Sequence, residues 1–212
     1  MKILITGCSG FIGYHTVLKF CQQKNTKVFG IDNMNSYYDI NLKKSRLKIL
    51  QNKKNFFFSK IDLTDKNKLE KIFKEYKFKK VIHLAAQAGV RYSIKNPDAH
   101  VDSNIIGFSY LLEFSKKYKV RHLVFASSSS VYGSSNACPY NETMNTDKTE
   151  SIYAATKKAG EVMSYSYSHL HNLPITVMRF FTVYGPYGRP DMALYKFTEG
   201  IINNNTIKLY NF

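Results

Sequence analysis

Thr6-Gly7-Cys8-Ser9-Gly10-Phe11-Ile12-Gly13 joins a short apolar run, residues 2–6, to a segment of helical period over 11–23. Three glycines at that junction suit a strand-to-helix turn that holds a pyrophosphate. The first permits a tight turn, the second lets the backbone approach the phosphates, and the third allows close helix–strand packing. The helix start then offers free N–H groups and a partial positive charge. The spacing is GxxGxxG rather than the common GxGxxG. Asp32 closes the next strand, 27–31, where a carboxylate accepts hydrogen bonds from ribose hydroxyls. The same carboxylate repels a 2′-phosphate and no arginine adjoins it, so the expected cofactor is NAD rather than NADP. Asp62 ends the third strand and is placed either to contact the adenine side or to cap the following helix, with Thr64 a rival for that cap.

Outward from the turn, short apolar runs alternate with longer helical segments. Strands are expected at 55–59, 80–85, 121–126 and 174–179, and helices at 41–50, 65–76, 98–118 and 151–171. This alternation implies a parallel sheet covered on both faces, an α/β, Rossmann-like doubly wound fold. After Arg179 the pattern changes. Gly185-Pro186 and Arg189-Pro190 mark loops, 192–203 reads as a helix and 206–210 as a strand. The expected division is a NAD-binding domain over 1–184 and the beginning of a small substrate-binding domain over 185–212. That second domain is expected to be truncated, because the chain stops two residues after a strand.

The composition excludes several classes. With 212 residues, 44% hydrophobic and 22% charged, the chain can bury a full core. No apolar run reaches the roughly 18 residues of a membrane helix. Residues 3–5 are too short for the apolar core of a secretion signal. Cys8, Cys21 and Cys138 are odd in number and lack paired spacing, which argues against disulfides or zinc and fits a reducing cytoplasm. The net charge of +16 comes mostly from lysines, dense between Lys43 and Lys80, in a chain also rich in Asn, Ile, Tyr and Phe. Codon bias explains that excess without a nucleic-acid partner, since no binding motif accompanies it. The excess charge can also attract an anionic nucleotide substrate.

The chemistry is concentrated around Tyr153 and Lys157, which lie one turn apart on a single helix face. A free phenol ionises near pH 10, too high for a base at neutral pH. A neighbouring ammonium and the positive nicotinamide ring favour the phenolate. Tyr153 can then take a sugar-hydroxyl proton while hydride leaves the same carbon. One serine of Ser127, Ser128, Ser129 and Ser130 would share that proton, with Ser128 the first choice and Ser127 and Ser130 competitors. Tyr76 and Lys80 have the same spacing but no upstream serines and read as surface residues. His169 and His171 point apart, His83 reads as packed in a strand, and no GxSxG elbow is present, so no metal site or serine hydrolase is expected.

Together these stretches resemble the extended short-chain dehydrogenase/reductases of the NAD-dependent epimerase/dehydratase family, most closely the UDP-glucuronate 4-epimerases. The likeness extends through Asp32-Asn33-Met34-Asn35, Tyr37-Tyr38-Asp39, the run 83–93, 126–133, 153–158 and 179–192. It implies a catalytic set of Ser128, Tyr153 and Lys157. Around NAD it implies Gly7, Gly10, Phe11, Ile12, Gly13, Asp32 and Asn33, then Asp62, Leu63, Ala85, Ala86, Gln87 and Asn104, with Tyr153 and Lys157. Toward the UDP-sugar it implies Arg91, Thr182, Arg189 and the serines Ser127, Ser129 and Ser130. The implied reaction oxidises the sugar at C4, turns the keto form over and returns the hydride to its other face. The implied assembly is a homodimer packed through helices 98–118 and 151–171. Serines precede Val131-Tyr132-Gly133 where the sugar dehydratases carry Asp-Glu, so elimination lacks its acid. The glutamate usual in that loop of the related decarboxylases is absent too. Tyr187 stands where close relatives usually have Trp. Other UDP-sugars, UDP-glucose or a UDP-N-acetyl sugar, and a non-catalytic NAD-binding role remain alternatives.

Overall fold

The structure is a computed structural model and describes residues 1–135 and 139–207. Cys138 and the second half of the strand expected at 206–210 lie outside the described residues. A parallel sheet of six strands runs in the order 3-2-1-4-5-6. Its strands are β1 (Lys2–Thr6), β2 (Lys27–Asp32), β3 (Phe56–Lys60), β4 (Lys80–His83), β5 (His122–Ser128) and β6 (Ile175–Phe180). Successive residues of a strand face opposite sides. Ile3, Ile5, Val28 and Ile82 therefore meet α1 (Phe11–Cys21) and α2 (Ile40–Gln51) on one face. Leu4, Phe29, Val81 and Leu123 meet α3 (Lys66–Tyr76) and the helices after β4 on the other.

Several boundaries differ from the sequence expectation, each for a local reason. Asp65, not Asp62 or Thr64, caps α3: its carboxylate accepts from the Lys68 N–H at 3.0 Å. Asp62 instead bonds the Thr64 N–H and hydroxyl, an Asx turn that follows β3. A short helix unforeseen in the sequence, α4 (Val90–Lys95), follows Gly89, whose φ of 105° starts it. The long helix expected from Asp98 is three segments. They are α5 (Pro97–Val101), a π-helical turn (Asp102–Ile106) and α6 (Gly107–Lys117). The remaining helices are α7 (Ile152–His171) and α8 (Ala193–Ile202). Tyr76 and Lys80 share no helix face, because Lys80 opens β4 and Tyr76 packs on Phe29.

Strand order reverses between β1 and β4, so the loops leaving those strands diverge to opposite faces. A cavity of about 540 Å³ opens there, at the carboxyl ends of the strands.

Candidate active site

The glycine turn forms one wall. Gly7 has φ 70°, and a Cβ there would lie 2.7 Å from the Ala85 nitrogen, so only glycine lets the two loops touch. A Cβ on Gly13 would collide with the Gly7 carbonyl, which seats α1 directly on the turn. The Gly7 and Cys8 N–H groups both donate to the Ile31 carbonyl. Gly10 caps α1 without a side-chain acceptor, leaving the first-turn N–H groups of Phe11, Ile12 and Gly13 at the cavity wall. Asp32 is held by the Ser9 N–H at 3.1 Å and the Met34 N–H at 2.8 Å. Beside it, Asn33 donates to Asp62 at 2.8 Å, and Asp62 and Leu63 continue the same wall.

The opposite wall comes from β5, its following turn and α7. Ser128 ends β5 and accepts from the Ser130 N–H at 3.2 Å, which starts a 3-10 turn (Ser129–Tyr132). Ser127, which also lines the cavity, donates to Glu161 at 2.5 Å. Glu161 also takes a paired contact from Arg179, at 3.0 and 2.9 Å. Ser151 caps α7 by accepting from Ala154 N–H at 3.1 Å, fixing the turn that presents Tyr153. Tyr153 and Ser128 line the same cavity, and of the serines left open by sequence it is Ser128 whose hydroxyl acts on the phenol. Burial raises the Tyr153 phenol above its ordinary value, while Ser128 and the Arg189 charge pull it back.

Lys157 departs from expectation. Its ammonium donates to the Ala126 carbonyl at 2.8 Å and lies 5.2 Å from the Phe125 ring centre. Burial lowers it to about 8. Lys157 lines the same cavity as Tyr153, with its ammonium held by β5. The lysine is parked against β5, near the base of the cavity.

Asn104 also differs. It is buried, does not line the cavity, and spends its amide on others. Its oxygen accepts from the Gln87 N–H at 2.8 Å, and its nitrogen donates to the Gln87 carbonyl and Thr156 hydroxyl, each at 3.0 Å. Thr156 in turn donates to the Tyr153 carbonyl at 2.8 Å. The π turn that holds Asn104 thus ties the loop after β4 to the first turn of α7.

The remaining nominated residues, Ala85, Ala86, Arg91, Ser129, Ser130, Thr182 and Arg189, line the same cavity. Arg189 is paired with Asp191 at 3.0 and 2.5 Å, and Tyr37 donates to Asp191 at 3.1 Å. Neither Tyr37 nor Asp191 was nominated from the sequence. Arg46 was missed as well. It is fully buried and donates to the carbonyls of Ser9 at 3.0 Å and Tyr187 at 2.7 Å, and to the Tyr38 hydroxyl at 2.6 Å. Lys43, also buried, donates to Asn35. Lys43, Arg46, Leu47 and Leu50 form the inward stripe of α2 at helical spacing, a signal present in the sequence but masked by the surrounding lysines. His83 stacks on Phe108 at 4.9 Å and bonds Thr6 at 2.7 Å. Burial and the Lys157 charge hold its imidazole well below the usual value.

The family model described as GDP-mannose 4,6 dehydratase matches residues 4–210. Protein CapI of Staphylococcus aureus is 52% identical over 211 residues, covering 100% of this chain and 63% of CapI. A probable UDP-glucuronate 4-epimerase of Rhizobium meliloti is 45% identical, over 99% of this chain and 61% of its own length. The UDP-glucuronic acid 4-epimerase of Bacillus cereus, solved with UDP-glucuronic acid and NAD, superposes with TM-score 0.91 at 33% identity. That match covers 97% of this chain and 64% of the other. The chain therefore spans a little under two thirds of the relatives it matches.

Proposed function

The chain belongs to the family described as GDP-mannose 4,6 dehydratase, within the extended short-chain dehydrogenase/reductases, and from that premise we propose that it binds NAD and epimerises C4 of a UDP-sugar, UDP-glucuronate foremost. The observation that carries the reading is the meeting of Tyr153 and Ser128 across one cavity from the glycine turn. The walls suit a dinucleotide: a helix N-terminus without a side-chain cap for the pyrophosphate, and a carboxylate at Asp32 with acceptor capacity left for ribose.

In this reading Ser128 and Tyr153 hold the sugar C4 oxygen between them, and Tyr153 takes its proton. NAD, when bound, accepts the C4 hydride and returns it to the other face. Burial raises the phenol, so positive charge beside it is needed for Tyr153 to act as the base. Arg189, Arg91, Thr182 and the serines Ser129 and Ser130 supply donors for a carboxylated sugar, which motivates glucuronate over an uncharged hexose. Serines at 127–130 leave no acid for the elimination that the family name denotes.

Residues 1–184 would form the NAD-binding domain and 185–212 the start of the substrate domain. A homodimer through α5–α6 and α7 is part of the same reading, supported by exposed Val101, Ile106, Val162 and Tyr165 on those helices. The structure of a UDP-glucose 4-epimerase from Thermotoga maritima superposes at TM-score 0.88 and 31% identity, so an uncharged UDP-sugar is the second reading. Incubation with UDP-glucuronate should yield UDP-galacturonate, and Tyr153→Phe should stop conversion while leaving NAD bound. Turnover of UDP-glucose in preference to UDP-glucuronate would replace the first reading by the second. NAD binding without any turnover would leave a dinucleotide-binding module.

A further inference from the structure

In a parallel sheet every connection from helix back to strand lies at one edge, here the edge opposite the cavity. The five such loops are three to five residues long. Lys24, Lys53, Lys54, Lys77, Lys79 and Lys119 sit in them, all exposed. Lys2, Lys27 and Lys80 open β1, β2 and β4, and Arg121 immediately precedes β5. These ten are about a third of the 31 basic side chains, whereas none of the 15 acidic residues falls in the same loops or strand starts.

The register sets them in a row. Lys27 donates its N–H to Met1, Lys79 to Lys2 and Arg121 to Lys79. Lys27, Lys2, Lys79 and Arg121 therefore follow one another on neighbouring strands, about 4.8 Å apart. None of the ion pairs among the described residues involves any of the ten. The nearest acid in sequence, Glu75, acts on the neighbouring Tyr76, whose phenol it raises. Five helix C-termini end at this edge, each equivalent to roughly half a negative charge. That offsets only a quarter or so of ten full cations, and like charges on adjacent strands repel.

We propose that this basic edge is a docking surface for an anionic lipid bilayer, holding the protein peripherally with the cavity facing solution. Short loops of similar length give a level face with no element to enter a nucleic-acid groove. Nine of the ten cations are lysines, and arginine, whose fork suits phosphate and base recognition, contributes one. In these loops and strand starts Phe56 and Phe78 are buried and Tyr118 half-buried, and Phe57, one residue further along β3, is exposed but stacked on Phe29, so no row of rings is offered for base stacking. No helix among the described residues is long and apolar enough to cross a membrane, and the row of cations supplies an electrostatic attraction to anionic headgroups.

The test is co-sedimentation of the 212-residue chain with vesicles. It should pellet with mixed phosphatidylcholine–phosphatidylglycerol vesicles and not with phosphatidylcholine alone. Binding should fall at least about tenfold when salt rises from about 0.1 M to about 0.5 M. The combined Lys53→Glu, Lys54→Glu and Lys79→Glu variant should lose about a hundredfold. An equal charge change elsewhere, Lys44→Glu, Lys95→Glu and Lys148→Glu, should lose less than about threefold. Absence of pelleting with the anionic vesicles, equal losses in the two variants, or tighter association with random DNA or RNA than with vesicles would each overturn the proposal.

Discussion

At the scale of single residues, the least expected is Lys157. Its spacing from Tyr153 was legible because i,i+4 is a local relation, but its partner, the Ala126 carbonyl, lies on a strand 31 residues away. Sequence spacing shows which face a cation occupies, not what it bonds. Its lowered value, about 8 against an ordinary 10.5, makes a sign-specific expectation. Below pH 8 the lysine is charged whether the chain is folded or not, and the cost of burying that charge is carried in full. Between 8 and 10.5 the unfolded chain binds the extra proton, so stability rises with pH. Unfolding free energy should therefore increase for the native chain relative to Lys157→Met over that interval, by on the order of 3 kcal/mol if the whole shift is realised. Denaturant titrations at stepped pH check this, and parallel curves for the two proteins would refute it. Arg46 shows the opposite failure of reading. It sits in a lysine-dense stretch, and its main acceptor, Tyr187, is 141 residues away, so nothing local marks it as interior.

At the scale of elements, the helix and strand types came through because their apolar periods are undisturbed. Gly7, Gly10 and Gly13 came through because steric demands act within a few residues. The π turn did not. Its single extra residue leaves the 3.6-residue period nearly intact on either side, and only tertiary bonds reveal what the widened turn is for. Those bonds make Asn104 a knot between the loop after β4 and α7. Asn104→Ala strands a buried Gln87 N–H and releases Thr156, at a cost of about 2–4 kcal/mol. Thr156→Val breaks two bonds of the same network, to Asn104 and to the Tyr153 carbonyl, but strands no backbone N–H and should cost only about 1–2 kcal/mol. Chemical denaturation of both variants tests the ordering; equal losses would show that the tie to Gln87 contributes nothing.

At the scale of the whole molecule, the sheet divides in sequence order. Residues up to the end of α3 build β1, β2 and β3, and the rest build β4, β5 and β6. The glycine turn, Asp32 and Asp62 belong to the first half, and Ser128, Tyr153, Lys157 and Arg189 to the second. That partition was readable from the order of motifs; the clasp by which Arg46 holds the 187–188 loop of the second half against the first was not. A dinucleotide seated in the cavity should raise the melting temperature, since it binds only where both halves are docked. At one hundred times its dissociation constant it adds about 2.7 kcal/mol, and a thermal scan with NAD that shows no shift would count against the cofactor. The β1–β4 boundary is a seam closed by backbone pairing, by the Thr6–His83 bond and by the Arg46 clasp, and a ligand in the cavity bridges it further. A cofactor lying across it works as a strut as well as a reagent, so amide exchange should slow first in these two strands when the strut is fitted.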